Sequence, residues 1–139
     1  MTDPVVRFSK VSKSFGSASV LREIDFAMPA GRFLGLAGLN GAGKTTLIKC
    51  LLDFCDVDGG NIEIHGIPCR RPEARSRLAF LPERFIPPYF LTGREFVRAM
   101  LRLGRRDYHE ERARGMFGEL DLEPVALDKP VRSYSKGMT

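Results

Sequence analysis

Apolar and polar positions alternate twice near the start of the chain. Residues 5–15, VVRFSKVSKSF, are rich in β-branched and aromatic types and predict a strand. Residues 20–28, VLREIDFAM, set Ile24, Phe26 and Met28 against Glu23 and Asp25, the period of two expected of a half-buried strand. PAG at 29–31 reads as a turn. FLGLAG at 33–38 is a short apolar run ending in glycine, which predicts a strand buried on both faces. The period then lengthens. TTLIKCLLDF places Leu47, Ile48, Leu51 and Leu52 on one side of a helix. DVDGG predicts a turn, NIEIHG a strand, RPEARS a short helix and LAFLPE (78–83) another strand, ended by Pro82.

After the proline-bearing loop ERFIPPYF the pattern is helical. In LTGREFVRAMLRL, Thr92 stands as N-cap with Glu95 three residues on, the spacing of a capping box. Phe96, Val97, Met100 and Leu103 form the apolar stripe of that helix, and Arg94, Arg98 and Arg102 recur at i, i+4, i+8 as a basic one. EERARGMFGEL repeats the helical period with Ala113, Met116, Phe117 and Leu120. RSYSKGMT, the last residues, has the look of a helix beginning. The chain thus divides into a strand-rich part, 1–91, and a helical part, 92–139.

Composition narrows the class. The chain has 139 residues, 43% hydrophobic and 28% charged, the balance of an ordinary globular protein. MTDPVVRFSK lacks the apolar core of a secretory signal, and the longest near-apolar run, FLGLAGL, is too short to span a bilayer. Cys50, Cys55 and Cys69 are odd in number and contain no CxxC, so they imply reduced thiols in a cytosolic protein rather than a disulfide framework or a zinc site. The net charge is +5, yet residues 70–114 hold twelve arginines, no lysine and six acids. The basic character therefore belongs to one segment, either a solvated face or a surface for nucleic acid or anionic head groups.

One stretch carries explicit chemistry. Gly38–Thr45, GLNGAGKT, fits G-x-x-x-x-G-K-[ST], between an apolar run and a helical pattern. Gly38, Gly41 and Gly43 permit a tight backbone that aims N–H groups inward. The helix that follows adds its N-terminal dipole and free donors. Lys44 is placed to reach β- and γ-phosphates, and Thr45 has a hydroxyl for Mg²⁺. GTPases, small-molecule kinases, helicases and transport ATPases all use such a loop. Two predicted strands precede it, unlike the usual small kinase, and neither Asn40 nor Asn61 lies in an Asn-Lys-x-Asp guanine motif.

The whole set of motifs resembles the nucleotide-binding domain of an ATP-binding cassette (ABC) transporter, from about Val5 to Thr139. MPAGRFLGLAGLNGAGKTTLIKCL resembles the family's strand, Walker A loop and helix, with Leu39 where proline is common. SKSFG is similar to the adenine-stacking loop, with Phe15 as the aromatic, although a strand end in the core would also use Phe15. LAFLPE resembles the strand into the Q-loop, with Glu83 in place of the usual glutamine. SYSKGM resembles the signature motif, Ser135 and Gly137 matching its serine and second glycine. The resemblance implies an α/β fold, a P-loop NTPase of the ABC ATPase type: a mixed sheet core, an antiparallel β subdomain and a helical subdomain, incomplete at the C-terminus.

It further implies ATP and Mg²⁺ as cofactors, bound by Gly38, Leu39, Asn40, Gly41, Ala42, Gly43, Lys44, Thr45 and Thr46, with Thr45 and Glu83 on the metal. Ser135 and Gly137 would complete the site of a second ATPase subunit, in a homodimer or a pair. The expected partner is an integral membrane permease, and the expected location is the cytoplasmic face of the membrane. No Walker B strand, catalytic glutamate or switch histidine is recognisable, and His65 and His109 lie elsewhere. The complete protein would hydrolyse ATP to drive transport; this chain alone would bind nucleotide weakly and turn it over negligibly. Two alternatives stand beside this: a non-transport ABC-type ATPase acting on nucleic acid or the ribosome, and a truncated fragment that binds without hydrolysis.

Overall fold

The structure, a computed structural model, describes residues 3–83 and 85–135. These form two compact units, Met1–Ala79 and Phe80–Thr139.

The first unit is built on an antiparallel sheet. Strand β1 (Val6–Phe15) and β2 (Ala18–Met28) are joined by a two-residue turn at Gly16, which adopts a positive φ of 57°. With β3 (Gly59–Ile64) and β4 (Ile67–Pro68) they make the order β2-β1-β3-β4. Alternation alone would put Val11 on the opposite face from Val6 and Phe8, yet all three are buried. A bulge in β1 explains this. Phe8 faces Phe26 and Val11 faces Ile24, so three steps on β1 oppose two on β2. Lys10 takes the left-handed conformation there, φ 48°, and its N–H donates to Asp25 Oδ1 at 2.9 Å. A reciprocal bulge in β2 at Glu23, φ 43°, returns the strands to step, and the Glu23 N–H donates to Ser12 Oγ at 3.0 Å.

The bulge also fixes the residue facing it on β3. A methyl group at Gly60 would overlap the carbonyl oxygens of Ser9 and Lys10, and Gly60 has φ +80°. DVDGG is therefore not simply a turn: Gly59 and Gly60 already belong to β3.

Helix α1 (Lys44–Leu51) lies on this sheet and buries Cys50, while Leu47 and Leu51 are partly covered. The core holds Val6, Phe8, Val11, Leu21, Ile62 and Ile64, with Cys50, Cys69 and Ala74 of the short helix α2 (Pro72–Arg75). Burial pushes the Cys50 thiol up to about 11 and raises that of Cys69.

Two expected strands are absent among the described residues. Segments 33–38 and 78–83 are irregular and make no ladder. A strand buried on both faces needs a neighbour on each edge to satisfy its backbone, and no described strand supplies one. Phe33, expected inside, is fully exposed, and the sheet formed by the described residues is antiparallel.

The second unit holds α3 (Gly93–Leu103), α4 (Glu110–Glu119) and two 3₁₀ turns, Pro124–Asp128 and Val131–Ser133. The capping box is formed: the Glu95 N–H donates to Thr92 Oγ1 at 3.2 Å and the Thr92 N–H to Glu95 Oε2 at 2.8 Å. The Thr92 N–H, together with the Thr92 hydroxyl donating to Glu95 Oε2 at 2.9 Å, holds the Glu95 carboxyl below the usual carboxylate range. Ala113, Ala126, Leu127 and Val131 form a small core, and Phe85 stacks at a tilt on Phe96, centroids 5.8 Å apart. The chain that leads to Ser135 is pinned back to the start of α3: the Gly93 N–H donates to the Lys129 carbonyl at 3.1 Å and the Val131 N–H to that of Leu91 at 2.8 Å. The Tyr134 hydroxyl donates to the Ala126 carbonyl over Gly93, where no side chain would fit.

Candidate phosphate-binding site

The loop between segment 33–38 and α1 is shaped by its glycines. Gly41 and Gly43 have φ of 84° and 89°, in the region that L side chains disfavour. Gly43 is also buried against β2: a methyl there would lie 3.0 Å from the Val20 carbonyl and 3.1 Å from Leu21 Cδ2. Gly41 has open space around it. Thus Gly43 is required twice over, by backbone and by packing, and it is the residue from which α1 starts.

That start is electrostatically bare. The N-cap is Gly43, with no capping side chain, and the first turn has no acid. The first intrahelical acceptor is used by Leu47, whose N–H donates to the Gly43 carbonyl at 2.9 Å. The amides of Lys44, Thr45 and Thr46 find no acceptor among the described residues. Elsewhere the chain caps its long helix fully, as at Thr92. An uncapped end with three free donors at the positive pole of the dipole is complementary to an anion.

Lys44 completes the arrangement. Its ammonium folds back over the loop and donates to the carbonyls of Gly38 and Leu39, both at 2.7 Å. Two of its three N–H bonds close the loop into a ring, and the third remains for a ligand. The Ala42 N–H reinforces the turn by donating to Leu39 at 3.2 Å. Asn40 is exposed at the tip, Thr45 is exposed and Thr46 is half-buried. So Gly38 to Thr46 converge in one loop. The two carbonyls that hold Lys44 were invisible in the sequence, because any residue supplies a carbonyl.

Phe15 lies in the same unit, at the end of β1. It is 53% exposed, so the core alternative does not hold. The Lys13 ammonium stands over its ring, 5.4 Å from the centroid. Lys13 is itself fixed by Asp58 Oδ1 at 2.7 Å, and the Ser14 N–H donates to Asp58 Oδ2 at 2.6 Å. These bonds raise the Lys13 pKa and hold the Asp58 carboxyl below its ordinary range. Glu83 is exposed, and Ser135, also exposed, follows the second 3₁₀ turn; both belong to the second unit. Gly137 lies outside the described residues. No cluster of three His, Cys, Asp or Glu side chains suited to a metal occurs among the described residues. Thr45 alone is a single hydroxyl donor, so Mg²⁺ fits here only as phosphate-bound Mg²⁺, which keeps several waters and few protein ligands.

A concavity of about 590 Å³ in the first unit borders this loop at Ala42, Gly43 and Lys44 and is otherwise lined mainly by apolar side chains, including Phe26, Phe33, Leu36 and Leu47. Its chemistry suits apolar chain rather than phosphate.

The chain belongs to the ABC transporter family: residues 21–139 match the family's ABC transporter model. The fold is that of its P-loop ATPase. A solved ATP-binding subunit of an ABC transporter superposes with TM-score 0.83 at 27% identity, over 96% of this chain and 57% of that one. A putative ABC transporter ATP-binding protein from Pyrococcus furiosus gives TM-score 0.78 at 22% identity, over 94% and 62%. An ABC transporter ATP-binding protein of Synechocystis is 35% identical over 125 residues, 85% of this chain and 34% of the relative. A ribose import ATP-binding protein of Caldanaerobacter subterraneus is 29% identical over 146 residues, 97% and 29%. A Nod factor export ATP-binding protein of Paraburkholderia xenovorans is 39% identical over 85 residues, 60% and 28%. The chain therefore spans about a third of the length of these curated relatives.

Proposed function

We propose that this chain is the ATP-binding part of an ABC transporter's ATPase subunit, and that its Gly38–Thr46 loop binds MgATP. The observation that carries the reading is the uncapped α1 N-terminus closed over by Lys44. Its free amides and the remaining Lys44 N–H would take the phosphate oxygens, with about 1.5–3 kcal/mol for each hydrogen bond to a charged group. The Thr45 hydroxyl would ligate Mg²⁺, which when bound neutralises phosphate charge. The exposed face of Phe15 would stack on adenine, a contact of about 1–3 kcal/mol. Glu83 would add an oxygen ligand to the metal, and Ser135 and Gly137 would serve the nucleotide of a second ATPase subunit. On this reading residues 1–91 serve the ATP-binding core and 92–139 the helical subdomain. The complete protein would work at the cytoplasmic face of a membrane, coupling hydrolysis to an integral permease. No described helix is long and apolar enough to cross a membrane.

Calorimetric titration tests the site. Wild type should bind ATP more tightly with Mg²⁺ than without. Thr45→Ala should lose that dependence while keeping metal-free binding. Equal Mg²⁺ dependence in both would remove Thr45 from the metal site, and no binding to wild type would sink the proposal.

A further inference from the structure

The three arginines spaced along α3 do not behave as one stripe. Arg94 is consumed internally: it pairs with Asp128 Oδ1 at 2.7 Å and with Glu110, and donates to the Tyr108 hydroxyl at 3.2 Å. Arg98 and Arg102, followed by Arg105 and Arg106, are exposed and pair with no carboxylate among the described residues. Asp107 is the only acid between Glu95 and Glu110. Four arginines without a salt bridge thus lie along the C-terminal half of α3 and the loop beyond it. One cation there, Arg102, suffices to complement the helix dipole.

The backbone at this end is held in an unfavourable conformation at one of these arginines. Arg105, rather than Gly104, takes the left-handed position at φ 53°. The Arg106 N–H then reaches back to the Leu101 carbonyl at 2.8 Å, closing the helix as a glycine normally would. Arg98 is pre-positioned in another way, its guanidinium lying 4.7 Å from the centroid of the Tyr108 ring. Stacked so, its N–H edge remains free for bidentate contact with a phosphate. Among these arginines Leu103 is 78% exposed.

We propose that this end of α3, with Arg98, Arg102, Leu103, Arg105 and Arg106, is a docking surface for the anionic head groups of a lipid bilayer. A cluster of four arginines matches the charge that such surfaces attract. Leu103 gives the patch an apolar element that can enter the interface. A single-stranded nucleic acid would want an open aromatic ring on which to stack, and the one aromatic in the patch, Tyr108, is covered by Arg98. The inference stands apart from nucleotide binding, so either can fail alone.

Vesicle flotation of the full chain tests it, using phosphatidylcholine vesicles with and without phosphatidylglycerol. The chain should float only with the anionic vesicles, and less as salt rises. R102E/R105E/R106E should lower partitioning at least about a hundredfold, roughly fivefold for each arginine lost. The triple lysine variant should bind within a few fold of wild type, which separates charge from folding. Leu103→Asn should cost about tenfold. Equal binding to both vesicle types, or an undiminished R102E/R105E/R106E, would overturn the proposal. Binding to a single-stranded oligodeoxynucleotide but not to anionic vesicles, or to neither, would overturn it as well.

Discussion

Gly41 and Gly43 sit two residues apart in one loop, at nearly the same positive φ, 84° and 89°, but only Gly43 is packed against β2. Alanine at either position must hold a left-handed backbone, which costs about 1–2 kcal/mol. At Gly41 nothing lies within 4 Å of the added methyl, so that is the whole cost. At Gly43 the methyl meets the Val20 carbonyl at 3.0 Å and Leu21 Cδ2 at 3.1 Å. Leu21 is buried and cannot move aside freely, and a carbonyl in a strand still less. Overpacking of this kind adds about 1–3 kcal/mol. Gly43→Ala should therefore destabilise the chain by about 2–5 kcal/mol and Gly41→Ala by about 1–2 kcal/mol. Urea unfolding followed by circular dichroism measures both, and the difference isolates the contact between loop and sheet. Equal losses would mean that the loop does not press on β2, and the packing argument for Gly43 would fail.

Other outcomes follow from the same structure. Arg105→Gly should stabilise the second unit by about 1 kcal/mol in thermal unfolding, since glycine takes the left-handed position without strain. Thr92→Ala should cost about 1 kcal/mol through the lost N-cap. Because the folded Glu95 carboxyl is held below its ordinary range, its contribution is complete above the unfolded pKa, near 4.3, and fades as pH falls through the folded value. Acid titration of stability should then show a shallower loss in Thr92→Ala than in wild type. Gly60→Ala should abolish the β1 bulge register, seen as loss of hydrogen-exchange protection at β1 and β3, whereas Gly66→Ala, at φ 72° with open space, should leave the sheet paired.

What the sequence showed depended on how local each determinant is. β1, β2, α1, α3 and α4 were legible, because period two or 3.6 and the Thr92–Glu95 box lie within single segments. The bulge at Lys10 was not, since it requires Gly60, fifty residues away in the chain, to offer no side chain. Segments 33–38 and 78–83 read as strands because apolar runs do so wherever they lie, but a ladder is a property of two segments. The arginine spacing suggested one stripe, and tertiary pairing of Arg94 with Asp128 and Glu110 divided it. At the phosphate loop the glycine spacing and Lys44 were plain. The closure of Lys44 on two carbonyls and the missing cap of α1 depend on backbone geometry that no residue type encodes.

Thermal unfolding of wild type and Lys44→Ala, each with and without MgATP, tests the phosphate loop most directly. A ligand that binds only the folded chain adds about 2.7 kcal/mol at a hundredfold excess over its dissociation constant. The account predicts a cooperative transition in both proteins, raised by MgATP in wild type and unmoved in Lys44→Ala. An equal rise in the two, or none in wild type, would contradict it.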